Sequence, residues 1–339
     1  MAIRRRRLLT IVVASGLSMA LPAGITSAQD ASAPASAGAG TAEKLDIEFV
    51  AGIVGIPFYT SMECGARQAA ADLGVNVNWA GPPDWSLELQ LPLLQASIER
   101  DPDGLILAPT DPVALITTVS DLMGKGVPVV TVDGNLSEPV DVQNIRTDNL
   151  VAGGLAADAM GAAISGKGSV LVVGLQPGVS ANQERVDGFV AELAAKYPEV
   201  TILPTEYPGA DPTKAATAVS AAIQAHPDLA GIYTTHSNAA VGTSSAVIAA
   251  SQQGKIKIIA YDADPQQVRD LRDGIYDGLV VQAPYLEGYD SVTLVTKILR
   301  GEVDPTTLED VAHPPMIVAT RDNVDSPEVQ KYLYVDACS

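Results

Sequence analysis

From residue 46 onward, short apolar runs alternate with amphipathic stretches. The runs at 47–54, 75–79, 104–107 and 127–132 are almost continuously apolar and too short for helices, which predicts strands buried on both faces. The stretches at 61–73, 85–99 and 112–125 carry apolar residues at helical spacing and predict helices. The pattern then restarts, with strands predicted at 169–173, 201–205, 230–234, 257–260 and 278–282 and helices at 180–196, 213–225, 239–253, 265–273 and 286–299. Buried strands alternating with helices define a parallel sheet covered on both faces. Two such series predict an α/β protein of two doubly wound parallel-sheet lobes. Ligands of open α/β sheets bind beyond the carboxyl ends of the strands. The loops Val54-Gly55-Ile56-Pro57, Val132-Asp133-Gly134-Asn135 and Tyr261-Asp262-Ala263-Asp264 stand there, and their polar residues are the first candidates for function.

The chain begins differently. Arg4 to Arg7 form a positive block, an apolar run follows at 8–25, and Thr26-Ser27-Ala28 offers a small-residue cleavage site. This order predicts a signal peptide over residues 1–28 and an extracytoplasmic protein, periplasmic or otherwise secreted. An uncleaved membrane anchor is the competing reading, and Pro22 with the small residues after it favours cleavage. Residues 29–44 are mostly Ala, Ser, Gly and Pro, too poor in large apolar groups to offset their ordering entropy, and are read as a flexible linker.

The remaining ~295 residues exceed one ordinary core, in keeping with two lobes. Without the four leader arginines, 17 basic residues face 40 acidic ones. A chain so negative repels nucleic acid and anionic lipid, so no nucleic-acid partner is expected. Cys64 and Cys338 lack metal-ligand spacing. In an oxidising compartment they either pair or stand as two thiols, and sequence alone does not set the distance between them.

Chemistry-bearing motifs are scarce. The chain has no Walker A loop, no G-x-S-x-G elbow and no H-E-x-x-H. The loop 174–178 lacks the spacing of a dinucleotide site. None of the three histidines, His226, His236 and His313, lies one helical turn from another. No cofactor, no metal site and no catalytic residue is therefore expected.

Taken in order, the strand-end segments carry a family pattern. Ile56-Pro57-Phe58-Tyr59 follows the first strand, and Ala108-Pro109-Thr110-Asp111 the third. Val127-Pro128-Val129-Val130-Thr131-Val132-Asp133 forms the fourth. Thr147-Asp148-Asn149-Leu150-Val151-Ala152-Gly153-Gly154 matches a crossover segment, Glu184-Arg185-Val186-Asp187-Gly188-Phe189 a helix signature, and Ile259-Ala260-Tyr261-Asp262 a further strand end, with Gln282 closing the next. In this order the motifs resemble those of the ribose-binding-protein-like, type I periplasmic receptors of carbohydrate ABC importers. The resemblance runs from about residue 46 to 323.

It implies a periplasmic-binding-protein-like fold whose two lobes are joined by a three-segment hinge, lobe one at 45–147 plus 285–310 and lobe two at 148–284 plus 311–339. It implies a monomer that takes a small polyhydroxylated ligand, a neutral sugar or sugar alcohol, in the inter-lobe cleft and delivers it to a membrane permease. Asp133, Asp262 and Gln282 fall at the family's ligand-contacting positions. Phe58 and Tyr59 can pack on the C–H faces of a sugar, and Trp85 can cover it. Taken alone, an aspartate at a strand end is as readily a turn or cap residue, and the aromatics are as readily core. The pattern's two arginines are replaced by Gly134 and Gln183, and an asparagine by His236. A cleft without a cation, with His236 titrating near its usual pH, is the resulting expectation. Two other outcomes fit the same cleft, a sugar-sensing receptor for a membrane kinase or chemoreceptor and an exported carbohydrate hydrolase.

Overall fold

Strands arise at the apolar runs because branched side chains there are buried on both faces of a sheet. The computed structural model describes residues 44–176 and 180–338, with the backbone only of Ser180. The expected signal peptide, nearly all of the linker and the end of loop 174–178 lie outside the described residues.

The first series comprises β1 (Asp46–Val50), α1 (Pro57–Leu73), β2 (Asn76–Ala80), α2 (Leu87–Ile98), β3 (Gly104–Leu107), α3 (Ile116–Lys125), β4 (Val129–Val132) and β5 (Gln143–Ile145). The second comprises α4 (Asn149–Ala163), β6 (Gly168–Val173), α5 (Ser180–Lys196), β7 (Val200–Ile202), α6 (Pro212–Ala225), β8 (Leu229–Thr234), α7 (Ser237–Ala249), β9 (Lys257–Tyr261), α8 (Pro265–Arg272) and β10 (Gly278–Val281). After these come α9 (Pro284–Leu299), β11 (Val311–Ala312), β12 (Ile317–Ala319) and α10 (Pro327–Gln330).

The strands form two six-stranded sheets of matching order, β11-β5-β4-β3-β1-β2 and β12-β10-β9-β8-β6-β7. All pairings are parallel except β10 with β12. The chain crosses between sheets at Ile145–Asn149, Val281–Pro284 and Ala312–Ile317, so three segments join the lobes. Because Val311 and Ala312 pair with Asn144 and Ile145, the first sheet reaches two residues past the boundary expected at 310.

One helix pair in each lobe packs unusually close. Helix α9 lies on β3, β4 and β5 and against α1, whereas α4 lies on the second sheet and against α5. A Cβ on Gly288 would stand 2.0 Å from Met62 O, and one on Gly153 2.3 Å from Arg185 O. No larger side chain fits there without parting the helices.

The cysteine pairing that sequence left open is made. Beyond α10 the chain runs as a strap across to the first lobe. Tyr334 N donates to Ala263 O at 3.2 Å, in the loop after β9. Val335 N donates to Ser61 Oγ at 2.9 Å, on α1. Cys338 is disulfide-bonded to Cys64 with their Cα atoms 5.2 Å apart. The tail after β12, expected to belong wholly to lobe two, thus ends fastened to the first-lobe helix.

Candidate functional site

The two lobes present one aspartate each at corresponding places. In the first lobe β4 ends at Val132, and Asp133 follows in the left-handed region at φ 56°. Its N–H donates to Ile145 O, which keeps it at the strand end. Such a backbone is unfavourable for residues other than glycine, although aspartate and asparagine bear it best. Tyr59, in the first turn of α1, donates its hydroxyl to Asp133 Oδ2 at 2.6 Å. Phe58 lies edge-on to Tyr59 with ring centres 5.3 Å apart, and the Trp85 ring stands 6.4 Å from Tyr59. Gly52 makes that cluster possible, since a Cβ there would fall 2.2 Å from Trp85 Cζ3 and 2.6 Å from Tyr59 Oη. Tyr59 and Phe58 are buried, while Trp85 is 44 % exposed and sits at the rim.

Beneath these rings Gln90 is wholly buried and bridges two strand ends. Its Nε2 donates to Ala51 O at 3.1 Å and to Ala108 O at 2.6 Å, and its Oε1 accepts from Thr110 N and Oγ1. Gly134 has a steric reason to replace the family's arginine, because a Cβ there would lie 2.5 Å from Pro109 O.

In the second lobe Asp262 follows β9 at φ 76°, its N–H donating to Val280 O. Its Oδ1 accepts from Gln282 Nε2 at 2.8 Å and from the Tyr334 hydroxyl at 3.3 Å, and its Oδ2 accepts from Ser237 N at 3.2 Å. Buried Gln267 braces the Asp262 loop itself, with Nε2 donating to Tyr261 O and Oε1 accepting from Asp264 N, whereas Gln90 ties the segments after β1 and β3.

The expectation of a cleft without a cation is not met. Arg185 on α5 is 6 % exposed and lies 3.7 Å above the Tyr261 ring. It donates to Asn149 Oδ1 at 2.7 Å, Thr235 O at 2.9 Å and Gln282 Oε1 at 3.4 Å. Burial opposes its charge, but Tyr261, Asp262, Tyr233 and Asp133 together outweigh that cost. Gln183, two residues earlier, donates instead to Asp187 on its own helix at 2.8 Å. The guanidinium is thus supplied from the neighbouring helix position that faces inward.

His236 precedes α7, with Nδ1 3.3 Å from Thr235 Oγ1 and a buried Nε2. Burial first, and then Arg185, push its pKa down to about 4. Titration near pH 6.5, expected from the sequence, is therefore displaced, and the ring is neutral at physiological pH.

Electrostatics link the halves. Burial raises the Asp133 pKa, the Tyr59 hydrogen bond and Arg185 pull it back, and Asp262 across the cleft raises it again. At the hinge Thr147 Oγ1 lies 2.8 Å from Gln282 Oε1 and 3.3 Å from Glu287 Oε1. One hydroxyl proton cannot serve two acceptors fully. Burial, followed by Asp133, pushes fully buried Glu287 well above the usual carboxyl range. A protonated Glu287 resolves the conflict by donating to Thr147, which donates to Gln282, which donates to Asp262. The chain of bonds spans two of the three crossings. His313 in the third crossing donates through Nδ1 to Arg146 O in the first at 2.9 Å.

The structure thus gathers Phe58, Tyr59, Trp85 and Asp133 on one side and His236, Asp262 and Gln282 on the other, and leaves the Gln183 amide on its own helix. Sequence reading missed Arg185, Thr147, Glu287 and Tyr334 as site residues. The first two lie in recognised motifs and Glu287 is an acid in the first turn of α9, but no pattern marks Tyr334. Among the described residues no cluster of three or more His, Cys, Asp or Glu could hold a metal ion.

Comparison with known proteins agrees with this architecture. Residues 47–302 match the family described as periplasmic binding protein domain, and the chain belongs to that family. It is 28 % identical over 271 residues to the ribose import binding protein of Salmonella typhimurium, covering 79 % of this chain and 89 % of the relative. Among solved structures it resembles an ABC transporter solute binding protein from Agrobacterium vitis bound with α-D-tagatopyranose. That likeness has a TM-score of 0.78 and 31 % identity, over 86 % of this chain and all of the other. A second A. vitis solute binding protein, with bound D-fucose, gives a TM-score of 0.76 and 27 % identity over 85 % of this chain and all of the other. The fold is therefore that of type I, two-lobed binding proteins.

Proposed function

We propose that the protein is an extracytoplasmic receptor that binds a neutral sugar or sugar alcohol between its lobes and hands it to an ABC permease. One observation carries the reading. Asp133 and Asp262, one per lobe and each in left-handed backbone at a strand end, lie close enough to feel each other's charge and that of Arg185, with Tyr59 bonded to the first and Tyr334 to the second. Ionised carboxylates accept strongly from ligand hydroxyls, aromatic faces cover C–H surfaces, and the guanidinium donates. Two carboxyl groups against the Arg185 guanidinium work against anionic ligands.

The three crossings allow the lobes to hinge. A ligand bonded to both aspartates favours the closed arrangement by its extra affinity for it. Binding without catalysis belongs to this proposal, in keeping with carboxylates already engaged as acceptors, Asp262 of three hydrogen bonds and Asp133 of one from Tyr59. A panel of neutral pentoses, hexoses and their alcohols, with sugar acids and amino acids as controls, tests the reading by thermal shift. A neutral sugar or polyol should raise the melting temperature and be recovered chemically unchanged. Shifts produced only by amino acids or acidic compounds, or release of a hydrolysis product, would refute it.

A further inference from the structure

We propose that Tyr334 is a specificity-determining wall of the sugar cleft, held in place by a C-terminal strap that the Cys64–Cys338 disulfide fastens across the two lobes. The inference rests on the cleft reading above and adds to it a residue fifteen positions beyond the last strand.

Tyr334 is only 4 % exposed although it lies in an irregular segment near the end of the chain. It touches site residues of both lobes. Its ring meets Phe58 edge-on with centres 5.7 Å apart, and its hydroxyl donates to Asp262 Oδ1 at 3.3 Å. The backbone on either side is fixed to opposite lobes. Tyr334 N donates to Ala263 O, Val335 N donates to Ser61 Oγ, and Cys338 is bonded to Cys64. Phe58, Ser61 and Cys64 follow one another at three-residue intervals along α1, so a single row of that helix receives the ring, the backbone and the sulfur.

A short terminal segment frays unless tied down. Here the ties lie on both sides of one aromatic residue and aim it at the carboxylate. The chemistry suits a sugar. The hydroxyl gives its proton to Asp262 and keeps lone pairs for a ligand hydroxyl, and the ring adds apolar surface beside Phe58. Because the strap cannot swing away while the disulfide is intact, it limits ligand size on that side and favours a monosaccharide over a longer saccharide.

The test uses the full-length protein and the strongest binder among D-tagatose, D-fucose, D-ribose and the corresponding alcohols, with Kd measured calorimetrically. Tyr334→Phe should weaken binding about three- to tenfold and Tyr334→Ala on the order of ten- to a hundredfold. The double variant Cys64→Ser/Cys338→Ser should weaken it about tenfold, and Tyr334→Ala in that background should then add less than about twofold. Wild-type affinity in a folded Tyr334→Ala protein overturns the inference, as does a full-sized Tyr334 effect without the disulfide. If Tyr334→Ala fails to fold, Tyr334→Phe decides, and a change below about twofold counts against the proposal. Asp262→Ala separates the two levels. Lost binding there with intact Tyr334 variants sinks only the role of Tyr334. Unaltered binding there, or no binding by any panel member, sinks the cleft reading and this inference with it.

Discussion

The two lobes share a strand order yet treat their aspartates differently. Asp133 and Asp262 follow the fourth strand of each series, both at positive φ, and both amides bond to the strand next door. A side-chain amide holds each loop, Asn144 through Gly134 O in the first lobe and Gln267 through Tyr261 O in the second. Around the carboxylates the likeness ends. Asp133 has one tyrosine hydroxyl and aromatic neighbours, and burial drives its pKa upward. Asp262 has an amide, a hydroxyl and a backbone N–H, while the Arg185 charge reaches both carboxyls. Repetition of the fold therefore supplies position, and the residues grafted on it supply the difference. One lobe offers mainly surface for apolar faces, and the other a charged hydrogen-bonding set.

The most disruptive way to break this comparison is at the paired helices. Gly153→Val in the second lobe and Gly288→Val in the first should each cost about 3 kcal/mol or more, because each drives a side chain into backbone. Thermal melting should fall sharply for both. A mild effect in either would mean that the helices can part.

Removing one carboxylate should cost less. Asp262→Ala should weaken sugar binding by about 1.5–3 kcal/mol. Asp133→Asn should weaken it less than Asp262→Asn, since Asp133 makes only the tyrosine bond. The reverse order by calorimetry would exchange the roles assigned to the lobes. Replacement by glycine sharpens the point. Asp133→Gly should abolish the carboxylate's contribution to binding and change stability by less than ~1 kcal/mol, relief of the left-handed backbone offsetting the lost Tyr59 bond, whereas Asp262→Gly should lower stability because Gln282, Tyr334 and Ser237 lose their acceptor. Lower stability in both would show that the aspartates hold their loops together.

Two second-lobe groups should give pH effects of opposite sign. Burial, and then Asp262, raise the Asp264 pKa to about 7 from 3.8. Its contribution to stability is present below pH 3.8 and lost as pH rises through 7. His236, lowered from 6.5 to about 4, contributes fully above pH 6.5 and loses that contribution as pH falls through 4. Between pH 4 and 6.5 the two slopes oppose each other, so Asp264→Asn should leave a melting temperature that rises with pH there and His236→Gln one that falls. Unchanged profiles would remove both groups from the account. The smallest effect sets a baseline. Lys167 and Glu199 form an ion pair at 3.2 Å with both side chains about 70 % exposed, and Lys167→Ala should change stability by less than about 0.5 kcal/mol.

Much of this was legible in the sequence, for identifiable reasons. Strands such as β3 and β4 announce themselves as unbroken apolar runs because both faces are covered. The aspartates were found because they directly follow such runs. Helix α4 left no trace because its sequence, NLVAGGLAADAMGAA, is small and apolar almost all round, as its close packing against α5 requires. Strands β5, β11 and β12 have two or three residues, too few for a periodicity. The run read as a strand to 54 leaves the sheet at Val50, and Gly52 there opens room for the rings. Arg185 stood in a recognised motif, but which of Gln183 and Arg185 faces inward depends on how α5 is rotated. Tyr334 depends wholly on long-range ties and could not be read locally.

The same ties bear on when the molecule is finished. The disulfide joins residues 274 positions apart, and its second cysteine is the penultimate residue of the chain. A ribosome or an export channel must release both lobes and Cys338 before that ring can close, so the strap is set after the two sheets. A chain kept in a reducing compartment would retain two thiols and a loose end, even with both sheets complete. Counting free thiols in purified material therefore reports which environment the protein passed through.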